Sequence, residues 1–326
     1  MIATCIHDEA FSRKYADIVE SICTIARSCF AEGRSNDARH LLRTAMQLTK
    51  LLADEPLQLP LLLAEGEMLA AEYLCTNADA DDMLQILRRA RDLAEEADDR
   101  QSLAESYHWL GVAHYFVELN ASPSVDAREE SYQEALDCHR RALELREKLG
   151  DERGVSESLF QIGTVYERRQ QADRALDYFA RAIRIADRAG YPDGKIEPAR
   201  HMAFHAFMQG DLDQADLYAR QALELREKSG FKPYLPLDHL LLSEIRLMAG
   251  DLEAAESHAI KAHALAHEMG YGRPAASALI VIGDILARRE KTDQAKEKYH
   301  AALVLARQLQ IPSLLSKVGE RLGHGG

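Results

Sequence analysis

Seven alanines recur at one position of a repeating unit: Ala45, Ala90, Ala142, Ala182, Ala222, Ala262 and Ala302, spaced by 45, 52, 40, 40, 40 and 40 residues. Two further positions keep the same register. One reads Ala26, Ala71, Gly111, Gly163, Ala203, Ser243 and Gly283, and the other Ala38, Met83, Ala135, Ala175, Ala215, Ala255 and Ala295. A period of this length constrains the fold more than any single motif, because one unit cannot bury its apolar face alone and must stack on its neighbours. The stretch Ser156–Gly190 shows what the unit is. Apolar residues fall at three- and four-residue spacing in two blocks, Leu159/Ile162/Val165/Tyr166 and Leu176/Phe179/Ile183, which predicts two amphipathic helices joined by a short polar turn. Small residues stand where those helices approach closely.

Leu159-x-x-Ile162-Gly163-x-x-Tyr166 followed by Ala175-x-x-x-Phe179-x-x-Ala182 resembles the tetratricopeptide repeat, TPR, and the resemblance covers about residues 19–311. It implies an all-α fold: a right-handed superhelical solenoid of seven TPR helical hairpins with a C-terminal capping helix. The hairpins start near residues 19, 64, 104, 156, 196, 236 and 276. Residues 1–18 read as a leader or a first-helix extension, and 312–326 as cap and tail, with Leu314, Leu315 and Val318 covering repeat seven. Endings such as Leu145-Arg146-Glu147-Lys148-Leu149-Gly150-Asp151 also resemble the Leu-Gly-Asn group of scaffold proteins and the helical arrays of bacterial ligand-sensing regulators.

Punctuation fits hairpins. Gly150, Gly190, Gly230 and Gly270 close the later second helices as left-handed C-caps, with Tyr191, Phe231 and Tyr271 placed to fold back on the last turn. Asp211 and Asp251 follow glycines as N-caps. Repeat two has a poor turn at Thr76–Asp82 and Met83 in an alanine position, which predicts irregular packing. Repeat three carries an insertion around Asn120–Ser131, where Ser122-Pro123-Ser124 breaks the first helix and Ser124 is placed to cap a lengthened second helix running to Leu149.

No apolar run is long enough to span a bilayer, and the first residues lack the basic and apolar segments of a secretion signal. The five cysteines form no Cys-x-x-Cys pair, and Cys23 and Cys29 fall within a helical pattern, as small buried residues in a reducing compartment do. A cytoplasmic location follows. The formal charge of −13 argues against nucleic acid, whose phosphates need clustered cations.

The TPR resemblance places the first helices on the concave wall. Their second positions read Glu20, Glu65, Glu105, Glu157 and Glu197, a ladder of carboxylates, beside His108, Trp109 and Tyr115, then Phe160, Gln161 and Thr164, then Arg200, His201, Phe204 and Phe207. Rings flanked by acids suit a basic, amphipathic peptide, although first-turn glutamates also complement the helix dipole. The site expected from sequence is Glu65, Glu105, His108, Trp109, Tyr115, Glu157, Phe160, Gln161, Thr164, Glu197, Arg200, His201 and Phe204. The chaperone-tail clamp of the TPR family is disfavoured, because it needs cations at position two.

The pairs His201/His205 and His263/His267 lack ligands that would complete a metal site, so no metal and no cofactor is expected. The sequence reading is therefore a non-enzymatic protein–protein interaction adaptor, with a peptide- or ligand-sensing regulatory array acting on a separate effector as the alternative. A minor enzymatic alternative rests on convergence of Glu105, His108, Tyr115, Glu157 and His201 in a closed pocket.

Overall fold

The computed structural model describes residues 9–52, 56–121 and 130–323. Fifteen α-helices account for them, and no strand occurs among the described residues. Seven antiparallel hairpins follow one another: α1 (Glu9–Ala31) with α2 (Ser35–Leu52), α3 (Leu59–Thr76) with α4 (Ala80–Glu96), α5 (Arg100–Ala121) with α6 (Gln133–Leu149), and α7 (Glu152–Arg168) with α8 (Ala172–Arg188). The remaining three are α9 (Ile196–Met208) with α10 (Leu212–Ser229), α11 (Leu235–Met248) with α12 (Leu252–Met269), and α13 (Gly272–Arg288) with α14 (Thr292–Leu309). A last helix, α15 (Pro312–Leu322), buries Leu314 and Val318 against the seventh pair.

The alanine seam explains why the pairs close. All seven alanines of the first register are at most 1% exposed. Where the small position on a first helix is glycine, it faces a bulky side chain of the partner helix: a Cβ on Gly283 would lie 2.3 Å from the Tyr299 ring, and one on Gly163 2.6 Å from Phe179. Glycine is required there for proximity, whereas at Gly150, Gly190, Gly230 and Gly270 it is required for backbone shape, with φ between +63° and +75°. Asp211 and Asp251 accept the backbone N–H three residues on, as N-caps do.

Repeat two differs from the sequence expectation. Its turn is well formed, because Asn77 takes the left-handed conformation and Asp79 caps α4 through the N–H groups of Asp81 and Asp82. Met83 is 1% exposed and packs with Leu110 and Val112, so the larger side chain fills the seam instead of disturbing it. In repeat three, α6 begins only at Gln133 after turn residues 130–132, so no lengthened helix runs from residue 124; Ser124 and most of the insertion lie outside the described residues. Of the cysteines, Cys23 and Cys75 are buried and Cys29 is half-buried, and burial pushes the Cys23 thiol up to about 11.

The array coils far enough to meet itself. Helix α13 packs on α3, α15 reaches α5, and the turn 232–234 touches α1. Phe30 and Phe231 meet edge-to-face at 5.8 Å, the Tyr234 hydroxyl donates to the Ala71 carbonyl at 3.2 Å, and Asn77 Nδ2 donates to the Leu309 carbonyl at 2.8 Å. Two of the aromatics after the capping glycines, Phe231 and Tyr271, reach across the coil with their side chains, whereas Tyr191 stays in its own repeat and donates to Glu157. No described helix is long and apolar enough to cross a membrane.

Candidate binding site

Closure turns the expected open groove into an interior pocket of about 390 Å³. Its floor and walls come from α5, α7 and α9, whose inner faces present residues at helical spacing. Ten of the thirteen sequence-predicted residues line it: His108, Trp109, Tyr115, Glu157, Phe160, Gln161, Thr164, Glu197, Arg200 and His201. Three do not. Glu65 is buried behind α2, paired with Arg43 at 3.1 Å. Glu105 faces Arg27 at 3.8 Å. Phe204 lies beyond the pocket end, packed on α10 and facing a small cavity with Phe179 and His205.

The carboxylate ladder is largely neutralised by the chain's own arginines, which corrects the reading of a free acidic wall. Glu197 accepts from Arg200 at 2.7 Å and from Arg226, which also donates to Asp238 at 2.9 Å. Burial alone would raise the Glu197 pKa, but Arg200 and Arg226 outweigh it and hold the carboxyl well below its usual range. Glu157 has weaker support: Arg146 at 3.3 Å and the Tyr191 hydroxyl at 3.0 Å. Its pKa is raised, first by burial, against the opposing charge of Arg146, with Asp151 and Glu105 adding to the rise. Glu67, bridged to Arg27 at 2.9 Å, is raised for the same first reason. An excess of carboxylate over guanidinium therefore survives only around Glu67, Glu105 and Glu157.

The histidines are committed. His108 is buried, contacts Arg146 Nη1 through Nδ1 at 3.2 Å, and is pushed well below its ordinary pKa by burial, then by Arg146 and His139. His201 donates from Nδ1 to Glu167 at 2.8 Å and accepts from Arg200 at Nε2, 3.1 Å away. With Glu105 outside and both histidines bound to neighbours, the five-residue acid/base constellation of the enzymatic alternative does not assemble. Phe160 is 8% exposed and stacks against Phe179 at 5.7 Å, and Trp109 packs on two core clusters, so these rings are structural as well as accessible.

The hairpin geometry agrees with a comparison of families: the tetratricopeptide repeat profile matches residues 124–188, across the second helix of repeat three and both helices of repeat four. The array has the fold of a tetratricopeptide repeat solenoid. No curated protein matches its sequence significantly. Among solved structures, a Rap protein complexed with competence and sporulation factor is similar to this TPR array with a TM-score of 0.64 and 18% identity, over 95% of this chain and 84% of that one. Apo RapI gives 0.57 at 14% identity, over 90% and 98% of the two chains. Aspartyl phosphate phosphatase F from Bacillus subtilis gives 0.53 at 14% identity, over 95% and 96%. These likenesses are of fold.

Sequence reasoning missed the TPR pocket's roof. Tyr191, Asp193, Gly194, Arg226, Ser229, Phe231 and Tyr234 enter from second-helix ends and the connections that follow them. One signal was present. Four residues after each seam alanine the chain reads Thr49, Ala94, Arg146, Ala186, Arg226, Ala266 and Ala306, all buried. Two arginines in a position otherwise held by small residues mark places where buried acids need a partner.

Proposed function

We propose that this TPR array is a ligand-sensing module that encloses a short peptide, or a small ligand of similar chemistry, in its interior pocket. The observation that carries the reading is the closure of the coil over a pocket of about 390 Å³. That size falls in the range of small-ligand sites. Apolar side chains of the ligand meet Trp109, Phe160 and Phe231, while Gln161, Arg200 and Asp193 supply polar contacts. The carboxylate excess at Glu67, Glu105 and Glu157 favours a positively charged group at that end of the ligand, which keeps the basic, amphipathic character expected from sequence. The fold likeness to a Rap protein complexed with competence and sporulation factor is in keeping with a TPR array that responds to a ligand. The protein-interaction role then belongs to the outer surface, whose geometry changes as the coil opens or closes.

Trp109 is the only tryptophan and lines the pocket, so its emission reports occupancy directly. A pool of short peptides bearing one cationic and two or three apolar residues is titrated against the full chain. A saturable change in Trp109 emission, weakened by Gln161→Ala with the melting temperature unchanged, is expected. Peptides or protein segments that bind while leaving Trp109 emission and Gln161→Ala affinity untouched would place recognition on another face and end this reading.

A further inference from the structure

Two guanidinium groups on the inner side of the coil form no ion pair among the described residues. Arg168 ends α7 and donates from Nε to the Tyr115 hydroxyl at 3.1 Å, and Arg273 sits in the first turn of α13 and donates to Asn120 Oδ1. Among the described residues, neither comes within ion-pair distance of a carboxylate. The acids nearby are turned elsewhere: Glu167 holds His201 at 2.8 Å, and Glu118 accepts the Tyr132 backbone N–H at 2.7 Å. Arg146 and Arg226, which are more deeply buried, are each bridged to acids.

The two cations share neighbours. Tyr115 and Tyr132, with rings 5.1 Å apart, interact electrostatically with both, and Asn120 is itself fixed by the Tyr73 carbonyl and Asn77. Arg273 stands apart from the other arginines whose basicity is displaced, because its pKa is lowered; burial comes first, Cys75 opposes it, and Arg168 adds to it. Two half-buried cations that share neighbours and lack a counter-ion are a costly arrangement for a fold to hold.

We infer that Arg168 and Arg273, with the hydroxyls of Tyr115 and Tyr132, form an oxyanion-binding site on the seam where repeats three, four and seven meet. Each guanidinium spends one nitrogen on the protein and keeps further N–H groups in the planar fork that matches a carboxylate or phosphate. An anion there neutralises both charges at once and ties α13 to α7 across the coil. Tyr115 belongs to this cluster and to the pocket wall, so the two sites adjoin. Arg168 lies eleven residues beyond Glu157 on α7, about 16 Å along the axis. The oxyanion is supplied either by a free phosphate or by the carboxylate of a molecule already in the pocket. The site itself stands without a pocket ligand.

The full chain is melted in chloride, phosphate and acetate buffers of equal ionic strength, alongside Arg273→Gln and Arg168→Gln. Phosphate raises the melting temperature of the parent by roughly 3 °C at about one hundred times its dissociation constant, and both variants lose that rise. An equal response to acetate assigns the site to carboxylates; a response to phosphate alone assigns it to phosphoryl or inorganic anions. If a glutamine variant does not fold, Arg273→Lys, which keeps charge but not the fork, shows a reduced response. Identical melting in all three buffers, or a phosphate rise that persists undiminished in the variants, overturns the site.

Discussion

The hydroxyl of Tyr271 donates to Glu72 at 3.1 Å, joining residues 199 positions apart. Glu72 is buried and also meets Arg39 at 3.4 Å, so this bond ties the start of repeat seven to the core of repeat two. Tyr271→Phe removes the donor while keeping the ring. We expect a loss of about 1–2 kcal/mol in urea denaturation, because a buried carboxylate oxygen is left without its partner. We also expect a larger radius of gyration in X-ray scattering; a variant with full stability and unchanged dimensions would show that the coil closes without this bond.

Gly283→Ala tests the seam within a pair. The new methyl would lie 2.3 Å from the Tyr299 ring, whose hydroxyl is held by Asp284 at 2.8 Å and cannot swing freely. Overpacking costs about 1–3 kcal/mol, against a gain of about 1 kcal/mol from helix propensity. The expected outcome is a net fall in the denaturation midpoint, and a rise would contradict the packing described.

Acid should weaken the fold through its buried histidines. His139 is fully buried and its pKa falls to about 3, first through burial and then through Arg146 and His114; His239 falls to about 4, first through burial and then through His258 and Lys261. A histidine in the unfolded chain takes up its proton near pH 6.5, whereas these stay neutral in the fold. The unfolded state therefore binds more protons below about pH 6.5, and stability drops as pH falls from there toward 4, by up to about 1.4 kcal/mol per unit for each such group. Urea midpoints at pH 7, 6 and 5 measure the slope, and His139→Leu should flatten it whatever it does to stability at pH 7.

Arg226→Met strips Asp238 of its ion-pair partner and leaves Glu197 with Arg200 alone. Asp238 is 1% exposed, Arg226 holds its Oδ2, and its Oδ1 has no hydrogen-bond partner among the described residues. Breaking a buried pair from one side costs about 3–5 kcal/mol, so a large loss of stability is expected. The double variant Arg226→Met/Asp238→Leu should recover part of it, and a double variant no better than the single would argue that the arginine acts through packing alone.

Much of the architecture was legible because repeats write it many times: seam alanines, capping glycines and N-cap aspartates are local requirements, each met within one hairpin. The inner faces of α5, α7 and α9 were legible for the same reason. The charge state of the inner wall was not, because Arg146 and Arg226, which face Glu157 and Glu197, lie on second helices in a position that reads alanine or threonine elsewhere. Nor was the enclosure visible, since contacts such as Phe30 with Phe231 depend on curvature summed over several repeats. That summation also redirects Phe231 and Tyr271, whose local role at helix ends is real but whose side chains serve distant partners, while Tyr191 stays within its own repeat.

An open stack of hairpins tolerates gaining or losing a member, because each unit touches only those beside it. Here the meeting of α13 with α3 removes that freedom. Deleting repeat four or duplicating it would leave every neighbouring contact repairable yet carry Tyr271 past Glu72, so in this chain the count of hairpins is itself a structural parameter, fixed as firmly as the diameter of a ring.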